Sequence, residues 1–318
     1  MGKKDLILTA NMGDDSICIY NGKSFEMLER LVVKPSGFKL FNTSHFTKGP
    51  AAGPGHLYHY KSKNIVLALN VYDDSLLFID LDTFKPMDTI FAGNHPYQIE
   101  VFEEADRAFV SNYDSDSISV IDLSIPQIVG QIPCGMMPQS LVINRNTSCL
   151  YVTNTGSDYI SIIDVLTLDK LFCLKVDGNP VDICNDAEGE RIFVIVRHPE
   201  RQVKDQLVEY DMVTGKRLRS MELGLMPVDI LYNNMNESVY ALDAIENNLR
   251  IINVESFDFE TTIHLGRMPI NQCLNSERSL LFVVCMIENK LYVVDTHRHQ
   301  IIREIPTGIE PSSVLFVS

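Results

Sequence analysis

At 318 residues, 45% of them hydrophobic and 22% charged, the chain has the makeup of a globular protein that can bury a sizeable core. Its 42 acidic residues against 27 basic ones leave a net charge of −15, which repels phosphate backbones and anionic headgroups, disfavours nucleic acid, and favours cations or basic protein patches. The longest apolar run, 280–287, falls far short of a membrane span; no apolar stretch near Met1 matches a secretory signal; and the seven cysteines contain no C-x-x-C pair, so the expectation is a cytoplasmic, monomeric protein with reduced thiols.

In chain order, the first predicted strand is Leu6-Ile7-Leu8-Thr9-Ala10-Asn11, followed by a second at 16–20. Next comes an insertion, 34–52, that carries Phe38, Phe41, His45, Phe46 and Lys48; a loop of this length in a compact fold is commonly functional, and its aromatics suit a lid. Gly53-Pro54-Gly55-His56 then reads as a degenerate turn with His56 in a proline position, and His59 follows three residues later. From there a Gly-x-x-Pro turn recurs as Gly93/Pro96, Gly135/Pro138, Gly224/Pro227, Gly266/Pro269 and Gly308/Pro311, with Gly178/Pro180 one residue shorter. The step is about 42 residues, and longer only across Arg197-His198-Pro199-Glu200-Arg201-Gln202-Val203-Lys204, a basic insertion.

Each turn precedes short runs rich in Val, Ile, Tyr and Phe, bounded by Gly, Asn, Asp and Pro. Examples are Leu67-Ala68-Leu69-Asn70, Phe109-Val110-Ser111-Asn112, Tyr151-Val152-Thr153-Asn154 and Tyr240-Ala241-Leu242-Asp243. Length and composition make these strands. Four strands per repeat, seven times over, predict an all-β, seven-bladed β-propeller of four-stranded antiparallel blades spanning 1–318 as one domain. The chain starts in a second-strand copy and ends in a first-strand copy, 311–317, so the C-terminal strand is expected to join the N-terminal three and remove an exposed edge.

Tyr151-Val152-Thr153-Asn154, with Gly-x-x-Pro upstream and Ile160-Ser161-Ile162-Ile163-Asp164 downstream, resembles the YVTN-repeat, YncE-like β-propellers over essentially the whole chain. The resemblance implies the fold and carries over no catalytic motif, because a fold hosts many functions and function belongs to a site.

Strand alternation puts the connections between blades, and those between the second and third strands, on one face. Two residues beyond each turn lie Tyr58, Gln98, Ser140, Asp182, Asp229, Asn271 and Ser313, all polar and expected to line the channel from one side of the innermost strands. Arg197 and His198 join them as candidates at the channel mouth, where the other loops are acidic. His45, His56, His59 and His95 are candidate ligands for a divalent metal. Two functions follow. The first is a non-catalytic binding or scaffold propeller that recognises a protein or small ligand, cationic in character, at the channel-mouth face. The alternative is a metal-binding or metal-dependent enzyme of hydrolase or lyase type, using those histidines and carboxylates.

Overall fold

The computed structural model describes residues 5–38, 51–198 and 204–318. Their 28 strands form seven four-stranded antiparallel sheets, and the chain is a seven-bladed β-propeller. The first blade is made from both ends of the chain: Pro311–Val317 pairs with Leu6–Asn11, followed outward by Ser16–Asn21 and Met27–Val32. The second to seventh blades span 54–91, 96–133, 138–175, 179–224, 227–264 and 269–306. No helix among the described residues is long and apolar enough to cross a membrane.

The chain divides into two compact units, Met1–Pro96 with Leu265–Ser318, and Tyr97–His264. The second unit holds the third to sixth blades, and its core shows why the middle strands read as continuous apolar runs. Successive residues of a strand point to opposite faces, and here both faces are covered. In the fourth blade Leu150 and Val152 pack with Phe109 and Val120 of the third. Tyr151, between them, packs with Val194 and Val208 of the fifth. In the other unit Leu8, Ala10 and Val317 of the closing blade share a cluster with Val66, Ala68 and Ile79 of the second. The fourth strand of each blade is the exposed one, as in Lys170–Lys175.

The YVTN letters have distinct jobs. Asn154 accepts the Gly135 N–H (2.9 Å) and donates to the Tyr159 carbonyl (2.9 Å), tying the strand end to the turns on both sides. A Cβ on Gly135 would stand 2.6 Å from the Asn154 side chain, which is why glycine opens this turn. Thr153 accepts the Ser140 N–H (2.8 Å) and donates to Val181 O of the next blade (3.2 Å). Ser111 repeats the second link by donating to Gln139 O at 2.8 Å.

Three of the acidic loop residues are likewise engaged in the fold. Asp15, Asp74 and Asp116 adopt left-handed backbone with φ of 50°, 54° and 50°, a conformation that Asp tolerates better than most residues. Their carboxylates accept main-chain N–H groups of the turn into the next blade: Gly53 (2.7 Å), His95 (2.8 Å) and Met137 (2.9 Å). Of the 34–52 insertion, Phe41, His45, Phe46 and Lys48 lie outside the described residues. Its near flank is held where Ser36 N–H donates to Asp73 (2.6 Å) and Phe38 stands edge-on to Phe91 (6.0 Å).

Candidate functional site

The innermost strands set the site, and their register corrects the sequence reading at one position. Pro54 pairs with Asn70 as Pro138 pairs with Asn154 and Pro227 with Asp243, each followed by the same bulge. Pro54, not His56, is therefore the turn proline of the second blade. The position two residues on belongs to His56, and Tyr58 lies one layer deeper. His59 points to the opposite side of the strand from His56 because side chains alternate.

With that correction four of the seven polar positions follow one rule. The side chain two residues past the proline accepts the main-chain N–H three past the proline of the following blade. Gln98 accepts from Leu141 (3.1 Å), Asp182 from Ile230 (2.6 Å), Asn271 from Val314 (2.9 Å) and Ser313 from Leu57 (3.3 Å). Gln98 also donates back to Leu141 O (3.2 Å), imitating one rung of a β-ladder. The innermost strands have no ladder partner on their inner side, so this ring satisfies main-chain groups that would otherwise go unpaired.

Within Tyr97–His264 the end of the inner strands next to the turn prolines, the upper end, carries further chemistry. Tyr97 follows Pro96 directly with its ring 41% exposed, and it stacks on Tyr113 at 6.3 Å between centroids and 30° between planes. Gln139, in the matching position of the next blade, donates from Nε2 to the Tyr97 hydroxyl at 2.7 Å. Burial, with the negative charges of Asp182 and Asp229, pushes the Tyr97 hydroxyl up to about 12. Asp182 is itself pushed up to about 6 by burial, against the pull of the Ser140 hydroxyl and the Ile230 N–H. Ser140, 3% exposed, turns its hydroxyl toward Asp182. Tyr97, Tyr113 and Gln139 escaped the sequence reading; the signal for Tyr97 and Gln139 was their shared place immediately after the turn proline.

One layer deeper stand Glu100, Val142, Cys184 and Leu231. Burial pushes Glu100 up to about 8, with Arg145 opposing. The folded chain thus keeps this proton where the unfolded chain, near 4.5, has lost it. The stability it contributes is complete below about 4.5 and is lost as pH rises toward 8. Glu100→Gln should flatten the fall in unfolding midpoint between pH 5 and 9, measured by thermal melts; a parallel fall in both proteins would contradict this.

The remaining candidates do not converge. Arg197 pairs with Asp205 (3.2 Å) and donates to Pro227 O of the next blade (3.3 Å), so its guanidinium joins two blades. The His198 N–H donates to Asp205 (3.2 Å), and 199–203 of that loop lie outside the described residues. The His95 N–H is held by Asp74. Burial depresses His56 to about 4, and its buried Nδ1 has no partner. His45 lies outside the described residues, and among those described no three His, Cys, Asp or Glu groups gather as a metal would need.

A family model described as YNCE-like beta-propeller matches residues 32–318. No curated protein matches the chain. Among solved structures, hydrazine synthase of Kuenenia stuttgartiensis superposes with a TM-score of 0.76 at 17% identity, over 85% of this chain and 91% of that one. A Bacteroides uniformis protein provisionally named a 6-phosphogluconolactonase gives 0.76 at 14% identity, over 99% and 100%. A functionally unknown protein from Desulfotomaculum acetoxidans gives 0.78 at 11% identity, over 98% of each chain. At these identities the likeness is one of fold, with matched strands and no shared site implied. The match over 32–318 and the seven repeated blades together place the chain in the YncE-like β-propeller family.

Proposed function

We propose that the chain is a binding propeller that recognises its ligand at the upper end of the inner strands of Tyr97–His264, without transforming it. The observation that carries this reading is the meeting of a stacked tyrosine pair, exposed Tyr97 on half-buried Tyr113, with the field of two carboxylates, Asp182 and Asp229. Aromatic faces beside a few placed polar groups are what recognition sites present. Catalysis by acid and base would need a nucleophile or proton donor paired with an orienting group. Asp182 instead accepts a main-chain N–H and Gln139 braces Tyr97, which holds the walls of a site rigid.

The test is a thermal-shift panel of peptides and small molecules of defined charge, run on the wild type and on the Asp182→Asn/Asp229→Asn double variant. A ligand at 100 times its Kd stabilises a protein by about 2.7 kcal/mol. At least one positively charged member should raise the wild-type midpoint by several degrees and leave the variant unmoved. A panel without a wild-type response, or responses that survive in the variant, would contradict the reading.

A further inference from the structure

We propose that this site takes a small organic cation, an ammonium or guanidinium group, held between the Tyr97–Tyr113 pair and the Asp182 and Asp229 carboxylates. The proposal rests on the binding reading above and adds the chemical class. Three observations select it. First, a tyrosine face attracts a cation within about 6 Å of its centroid, and more strongly where water is partly excluded. Tyr97 offers an exposed ring whose orientation is fixed at its hydroxyl by Gln139 and at its side by Tyr113.

Second, the charge is of one sign. Asp182 sits on Asn179–Asn185 and Asp229 on the adjacent innermost strand, Pro227–Asn233, and the Asp182 carboxylate reaches over to the Ile230 N–H at 2.6 Å. Asp182 makes no salt bridge among the described residues. Both carboxylates act on the Tyr97 hydroxyl, and their charge disfavours an anion.

Third, the donor set is wrong for a hard metal ion, which takes about six to eight oxygen ligands. Among the described residues no three His, Cys, Asp or Glu side chains are placed to hold a metal ion. A cation that spreads its charge over carbon and N–H groups suits aromatic walls and two carboxylates.

Such a group reaches the site as a free small molecule or as a side chain of a basic protein, and the experiment separates the two. Choline chloride and an acetylated, amidated trilysine peptide are titrated calorimetrically into the protein at constant ionic strength. One-to-one binding of choline assigns a free cation; binding of the peptide with weaker choline binding assigns a basic chain. In either case Tyr97→Ala and Asp229→Asn should each weaken binding at least tenfold. Tyr97→Phe, which keeps the aromatic face, should stay within about threefold of wild type, and so should Asp177→Asn, on an exposed carboxylate elsewhere. Unchanged thermal midpoints confirm that the variants fold. The proposal is overturned if neither probe binds, or if binding ignores Tyr97→Ala and Asp229→Asn. A panel ligand of another class that is lost in the carboxylate double variant would overturn the cation assignment alone and leave the binding reading standing.

Discussion

Deleting residues 311–318 should leave a chain that does not fold cooperatively. Pro311–Val317 is the innermost strand of the first blade, and no other strand pairs with the inner edge of Leu6–Asn11. Val314 and Val317 are each 4% exposed, and burial of each contributes about 1.5–3 kcal/mol. The strand also takes part in three polar links that its loss would break: Ser313 accepts from Leu57 (3.3 Å), Ser312 donates to Pro54 O (2.9 Å), and the Val314 N–H donates to Asn271 (2.9 Å). Together with a full ladder of main-chain hydrogen bonds at about 1 kcal/mol each, the loss is comparable to the 5–15 kcal/mol that holds a typical protein folded. Exposed Leu6–Asn11, buried along its whole length in the intact protein, would then be an edge prone to aggregation. Size-exclusion chromatography and thermal melting check this. A soluble truncated chain melting within a few degrees of wild type would show that the closure is dispensable.

The second large effect concerns Glu209. Its side chain is 1% exposed and lies between Arg191 (3.3 Å) and Arg219 (2.7 Å), and Arg191 is also paired with Asp186 (2.9 Å). Arg219 continues to the carbonyls of Val254 (2.8 Å) and Glu255 (2.9 Å) in the sixth blade and lies over the Phe257 ring at 4.6 Å. Glu209 is thus the anion that neutralises two guanidinium groups at the packing of the fifth blade on the sixth. Both arginine side chains are about a third exposed and Arg191 keeps Asp186, so the loss is that of charged hydrogen bonds, about 1.5–3 kcal/mol. Glu209→Gln should lower the stability from urea unfolding by that amount with an unchanged slope. A loss below about 1 kcal/mol would mean that the arginines find water or other partners.

The blades and their closure were legible because a period repeated seven times is strong evidence wherever one copy is weak. The slip at the second blade shows the limit of matching letters. Gly53 stands directly before Pro54, so a search for Gly-x-x-Pro lands on His56, whereas the pairing of Pro54 with Asn70 sets the true register. The distance from Pro54 to Pro96, equal to that from Pro96 to Pro138, carried the same information. Composition misled in the loops, where Asp15, Asp74 and Asp116 read as a field for a partner and serve as acceptors for neighbouring turns. The tyrosine pair was hidden for a different reason. Tyr97 begins one strand and Tyr113 follows the next, and only the antiparallel return of the chain stacks them. Asp182 and Asp229 were visible as the only carboxylates of the polar ring, but the stacked tyrosines of the same unit were not.

Methyl-resolved NMR during titrations with choline and with the trilysine peptide reports on the proposed recognition at the upper inner strands of Tyr97–His264. Val181, Val228 and Ile230 neighbour Asp182 and Asp229 in sequence, whereas Val129, Leu171 and Leu218 lie on exposed outer strands. Saturable shifts are expected at the first three methyl sets and none at the second three with the probe that binds. Shifts confined to the outer strands, or none at saturation with either probe, would contradict recognition at these strands.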